Sequence, residues 1–238
     1  MKNLVDFHTH TLACNHAYST LKENIDYAQK MGIKVLGWSE HGYGMPMTTR
    51  RSHFVNFRVI QEKIKDVRVL CGMEANICNF QGEIFEQETL PSMDYVIASL
   101  HRNVLAPGER EENTAALLRA MDNPHVKILG HIDDGYYPIQ YEEVVEKAAR
   151  KNILIEVNNS SFLEKTFRLN SKENMAEILH YAKEYRCKLI LNSDAHMYYE
   201  VGEIGLALKE VEKAKVPEGL ILNNKIDELE EILKIALR

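Results

Sequence analysis

Leu4-Val5-Asp6-Phe7-His8-Thr9-His10 opens the chain with a short apolar run that ends in two histidines one residue apart. Side chains at i and i+2 of a strand project from the same face, so both imidazoles can approach one ion. Outward from this stretch, Ser19-Thr20 supplies an N-cap pair. Leu21, Ile25, Ala28 and Met31 then follow at helical spacing, and Gly32 closes the segment. Val35-Leu36-Gly37-Trp38-Ser39 reads as the next strand. The chain therefore begins with a strand, a helix and a strand.

The unit recurs. Phe54, Phe57, Ile60 and Ile64 predict a helix, and Val67–Met73 a third strand. Tyr95–Leu100, Val126–Gly130, Ile153–Val157 and Lys188–Asn192 predict four more strands. Helices are expected near Thr114–Met121, Tyr141–Arg150 and Ser171–Tyr185, with two more over Ile204–Ala214 and Ile226–Leu237. Strands alternating with helices imply a mainly parallel sheet. Seven such units, with no glycine-rich dinucleotide loop after the first strand, predict an α/β fold of the distorted (β/α)7 TIM-like barrel type. A doubly wound sheet remains open, because periodicity cannot separate the two. No linker or repeat interrupts the pattern, so residues 1–238 are read as one domain.

The 238 residues are 45% hydrophobic and carry a net charge of −6. That balance disfavours non-specific nucleic-acid binding. It leaves a small anionic substrate open, since ions can reverse the field inside a pocket. Cys14, Cys71, Cys78 and Cys187 form no C-x-x-C pair, which suits reduced thiols in the cytoplasm. Neither a secretory signal nor an apolar run of membrane-spanning length is visible.

Metal-capable side chains fall at the strand ends. His8 and His10 end the first strand, His41 follows the second, Glu74 the third, His101 the fourth and His131 the fifth. Asp194 and His196 follow the seventh, again two residues apart, and His16 lies in the first loop. In a parallel barrel all strand C-termini open onto one face, so these residues converge. Imidazole with carboxylate suits zinc, manganese or iron, and Glu74 can bridge two ions through its two oxygens. His125 precedes its strand and His180 sits mid-helix, so both read as packing or surface residues. His53 lies near Arg50 and Arg51 in a long loop. Cys14, between His10 and His16, reads as a bystander thiol.

These residues carry a resemblance. His8-Thr9-His10, His41 after Ser39-Glu40, Gly72-Met73-Glu74, His101, His131 and Ser193-Asp194-Ala195-His196 resemble the motifs of the PHP (polymerase and histidinol phosphatase) family. The stretches His16–Leu21, Glu74–Ile77 and Glu156–Leu163 are similar to those of its short stand-alone phosphatases of the YcdX type. The resemblance implies three divalent ions, most often zinc, with manganese or iron also compatible. One would take His8, His10, Glu74 and Asp194. A second would share Glu74 and add His101 and His131, and a third would use His16, His41 and His196. One departure stands out. Relatives often place proline after the fifth-strand histidine, where this chain has Ile132-Asp133-Asp134, and Asp133 is expected to add charge near the ions.

The expected activity is hydrolysis of a small phosphomonoester by a metal-activated hydroxide, with Glu74, Asp194 and His196 at its centre. Arg50, Arg51, His53 and Arg102 are candidates for holding phosphate or a distal group. No leaving-group acid stands out beyond a guess at Asp133, and neither the substrate nor the oligomeric state can be read. Neither G-x-S-x-G nor G-x-x-x-x-G-K-[ST] occurs, so serine-hydrolase and P-loop chemistry lack support. Three rivals remain: an amidohydrolase-like C–N hydrolase, a PHP-type nuclease, and a non-catalytic metal-binding module.

Overall fold

The computed structural model describes residues 2–237. Seven parallel strands follow one another in space as they do in sequence: β1 (Val5–Asp6), β2 (Val35–Trp38), β4 (Val67–Asn76), β5 (Tyr95–Ser99), β6 (Val126–Leu129), β7 (Leu154–Asn158) and β8 (Leu189–Asn192). A doubly wound sheet would reverse its strand order part-way. Here the order never reverses, and the two ends meet: Thr9 bridges Ala195 in parallel, and His10 N–H donates to the Ala195 carbonyl over 2.9 Å. The barrel closes through this narrow seam, which places His8 and His10 directly beside Asp194.

Helices α1 (Leu21–Met31), α3 (Arg110–Ala120), α4 (Tyr141–Lys151), α5 (Ser171–Glu184) and α6 (Gly205–Lys213) follow individual strands. The N-cap read at Ser19-Thr20 becomes a capping box between Thr20 and Glu23, and Gly32 ends α1 at φ 79°. Inside the barrel, Val5, Phe7, Leu70, Tyr95, Ile97, Ile128, Leu154 and Ile190 form the core. Helix α7 (Ile226–Leu233) closes the bottom with Leu229, Ile232 and Leu233. The opposite end stays open.

Tyr95 explains two glycines. Its ring crosses the backbone at Gly37 and Gly72, and its hydroxyl donates to the Phe7 carbonyl. A side chain at either position would occupy the same space as that ring.

Two expected boundaries differ. The helix expected to run as far as Ile64 is only one short turn, α2 (Arg51–Val55), followed by a 3-10 turn over Asn56–Val59. Phe54 and Phe57 are buried as the spacing predicts. Lys63–Ile64 instead forms β3, antiparallel to β4, around a turn with Lys65 at φ 56°. Strand β4 also continues past Met73 to Asn76, so Glu74 lies within the strand and bridges His41.

Candidate metal centre

Glu74 occupies the middle of the open end and is fully buried. Its oxygens face different histidines. Oε1 lies 3.0 Å from His101 Nε2 and 2.7 Å from His131 Nε2. Oε2 lies 3.3 Å from His8 Nε2, 3.6 Å from His10 Nε2 and 2.6 Å from His41 Nδ1. Asp194 adds Oδ1, 3.2 Å from His10 Nε2 and 3.5 Å from His8 Nε2. His16 Nε2 stands 3.1 Å from His41 Nε2, and the His16 and His196 rings lie 4.8 Å apart. All nine residues expected at the strand ends thus come together.

The spacing suits cations. Two ligand atoms each about 2.1 Å from a tetrahedral ion stand roughly 3.4 Å apart. The contacts of His8 and His10 with Glu74 and Asp194 fall around that value. His8 Nε2, His10 Nε2, His41 Nδ1 and Glu74 Oε2 are buried with no hydrogen-bond partner. Buried polar atoms without partners are costly, and divalent ions held by these residues would satisfy them. Among the described residues, ligand atoms gather in five overlapping groups; two include Cys14, and the other three are His8, His10 and Asp194; His41, Glu74 and His101; and His10, His41 and His196. These groups differ from the implied division: His41 joins Glu74 and His101, and His10 rather than His16 joins His41 and His196.

Electrostatics prepare the donors. Burial pushes the Glu74 carboxyl up, yet His41, His101 and His8 hold it well below the usual carboxylate range. Asp194 is held down against burial by His8, His10 and Arg168. Burial, with His41 and His196 beside it, pushes the His10 pKa well below that of free imidazole, leaving a neutral ring with lone pairs to give.

The backbone is bent to reach this arrangement. Asp194 and His131 adopt left-handed conformations, at φ 56° and φ 34°. Such strain persists only where surrounding contacts enforce it. For His131 the contact is its N–H, which donates to Glu156 Oε2 over 2.9 Å.

Glu156 and Arg168, which the strand-end pattern does not single out, support the ligands. Glu156 is fully buried and lies 2.7 Å from His8 Nδ1 through Oε1, which also accepts from Asn192. Arg168 Nη2 donates to Asp194 Oδ2 over 2.8 Å, and Nη1 donates to Asn158, Ser160 and Ser161. The Asn76 amide oxygen lies 2.8 Å from His101 Nδ1 and fixes that ring. A lone carboxylate inside Ile153–Val157 was a readable signal for Glu156, since a buried charge needs partners. Arg168 sits in an irregular loop and offers none.

A cleft of about 920 Å³ opens above the cluster. Arg102 lines it, its guanidinium 3.9 Å from the Tyr136 ring centroid. Arg50 and His53 line a separate recess with Trp38 and Phe57, and exposed Arg51 faces Glu88 at 3.5 Å. These three side chains do not line the cleft. Asp133 is fully buried behind His131, near Ser161 and Arg168, and it is Asp134 that reaches the cleft. Cys14 is buried, its thiol contacting the Thr11 carbonyl, although it comes near His16 and His196.

The PHP domain model matches residues 6–164. The chain belongs to the PHP domain family. A probable phosphatase of Clostridium novyi is 44% identical over 235 residues, covering 98% of this chain and 96% of that protein. One from Thermoanaerobacter sp. strain X514 is 39% identical over 236 residues, with the same coverage. Among solved structures, histidinol phosphate phosphatase from Lactococcus lactis, complexed with zinc, L-histidinol and phosphate, superposes with TM-score 0.64 at 17% identity. That match covers 91% of this chain and 95% of the other. A probable 2-pyrone-4,6-dicarboxylic acid hydrolase from Acinetobacter baumannii gives TM-score 0.51 at 15% identity, over 98% of this chain and all of that one. Both share the barrel fold.

Proposed function

We propose that this protein hydrolyses small phosphomonoesters at a centre of three divalent ions. Its PHP family membership and its probable-phosphatase relatives make it a metal-dependent hydrolase of phosphoesters. The observation that supports the finer reading is Glu74, whose Oε1 faces His101 and His131 and whose Oε2 faces His8, His10 and His41, while Asp194 Oδ1 shares His8 and His10 with it and His16 adjoins His41.

Divalent ions held there would supply Lewis-acid charge and acidify water near neutral pH. The chain's own part is to fix the donors. Glu156 orients His8, Asn76 orients His101, and Arg168 occupies Asp194 Oδ2 so that only Oδ1 turns inward. Preorganised donors of this kind save reorganisation when charge develops on a phosphoryl group. No helix among the described residues is long and apolar enough to cross a membrane. All four cysteines are free, which supports a reducing, cytoplasmic setting.

The test is metal analysis with a substrate panel. The purified protein should carry more than one equivalent of zinc, manganese or iron. It should release phosphate from p-nitrophenyl phosphate and sugar phosphates and leave simple amides intact. Activity on amides alone would move the assignment to C–N hydrolysis, and full activity without metal would sink the mechanism.

A further inference from the structure

The walls of the cleft carry an uncompensated charge pattern above the metal-ligand floor. Five charged side chains line them: Arg102, Lys165, Arg168, Asp134 and Glu200. Three are engaged by the protein itself. Arg168 is paired with Asp194, Asp134 Oδ1 accepts the N–H groups of Tyr136 and Leu169, and Glu200 Oε2 accepts those of His196 and Met197.

Arg102 and Lys165 differ, being exposed and making no ion pair or hydrogen bond among the described residues. Arg102 follows the floor residue His101 directly, and its guanidinium lies over the Tyr136 ring. Stacking of this kind fixes the plane of the group while leaving its N–H edge free for a bidentate anion. Lys165 approaches from the loop after β7. That same loop and the one after β2 bring apolar side chains to the cleft. Phe167 is 70% exposed and Met47 86% exposed, the latter held at φ 62° with its carbonyl bonded by Asn15.

From this arrangement we propose that the physiological substrate is a phosphomonoester bearing a second anionic group, a carboxylate or another phosphate, on its leaving-group portion. The scissile phosphate would sit on the floor while Arg102 and Lys165 take the distal anion. A substrate with a cationic amine in that place would meet like charge. The inference rests on the phosphoesterase reading above and adds the substrate class.

Matched pairs test it. In the metal-loaded enzyme, kcat/KM is compared for 3-phosphoglycerate against glycerol 3-phosphate, and for fructose 1,6-bisphosphate against fructose 6-phosphate. O-Phosphoethanolamine serves as the cationic probe. The doubly anionic member should win by about tenfold or more, mainly through KM, and the preference should shrink as salt is raised. Arg102→Gln and Lys165→Gln should each bring the ratio toward one. Both residues are exposed, so unchanged melting temperatures verify that the variants fold. Equal or better turnover of the singly anionic or cationic member, or a ratio untouched by both substitutions, overturns the proposal while leaving phosphoester hydrolysis intact. Release of phosphate from no ester at all overturns both.

Discussion

His8 Nδ1 lies 2.7 Å from Glu156 Oε1, and neither side chain is reached by solvent. Glu156 is ionised, because His8 and His131 outweigh the burial that would protonate it, so Nδ1–H must be the donor. That bond commits the other nitrogen, Nε2, to the cluster. A carboxylate behind a ligating histidine fixes its tautomer and raises its basicity.

Glu156→Gln tests the arrangement with almost no change in shape. The amide oxygen can still accept from His8, but the negative charge is gone and the amide NH2 then faces the His131 N–H and Asn158 donors from which Oε2 accepts. Metal affinity and kcat on p-nitrophenyl phosphate should each fall by about 10- to 100-fold. Chelator competition followed by elemental analysis measures the first and steady-state kinetics the second. Wild-type values in both would leave Glu156 a packing role only.

Arg168→Lys separates charge from geometry at Asp194. Lysine keeps a cation but cannot hold Asp194 Oδ2 and the Asn158, Ser160 and Ser161 oxygens together, as the guanidinium does. The fold should survive while kcat drops by about 100-fold, the loss expected from a small displacement of a reacting group. Arg168→Ala is harsher. It leaves the buried Asp194 carboxylate without its cationic partner and should destabilise by about 3–5 kcal/mol, read by chemical denaturation.

Glu74→Gln removes the charge shared between the histidine groups. Bound metal should fall below the wild-type equivalents, and phosphatase activity should be lost. Circular dichroism should remain that of the folded barrel, because the strand core does not depend on this charge. Full metal occupancy in the variant would refute the bridging role.

Much of this site was legible because a parallel barrel turns sequence position into spatial position. His8, Glu74, His131 and Asp194 lie far apart in the chain, yet each follows or ends an apolar run, and every strand end opens on the same face. Other features escaped for physical reasons. Arg168 reaches the centre from an irregular loop that has no period to read. Ile64 sits at helical spacing from Phe54 and Phe57, but a left-handed Lys65 turns it into a hairpin strand. Arg50 and His53 share the connection between β2 and β3 with the cleft residue Met47, and only their three-dimensional course sends them into another recess.

Gly72 offers a stability test of the barrel interior. A Cβ there would stand 2.5 Å from Tyr95 Cε1 and 2.7 Å from its hydroxyl oxygen, closer than packed atoms tolerate. Gly72→Ala should cost about 1–3 kcal/mol through overpacking. In a chain of this size that lowers the melting temperature by roughly 2–4 °C per kcal/mol. An unchanged melting temperature would mean that Tyr95 moves aside at no cost.

Metal binding should expel protons, and the stability of the metal-free protein should vary with pH accordingly. Burial disfavours a charge on His8, but the carboxylates of Glu156, Asp194 and Glu74 overcome it and raise its pKa well above 6.5. The stabilisation this proton brings is full below the unfolded value near 6.5 and fades as pH climbs through the raised folded value. His10 behaves oppositely. It is buried neutral, so it penalises the folded state increasingly as pH falls below 6.5. An ion on His8 Nε2 must displace the proton there. Calorimetric zinc titration at pH 7, in buffers of different ionisation enthalpy, should therefore show release of about one proton per chain from this position. The zinc-induced rise in melting temperature should widen above neutral pH, as the metal-free protein loses the His8 contribution and the metal-bound form does not. Zinc binding without proton release would show that His8 is already neutral in the metal-free protein.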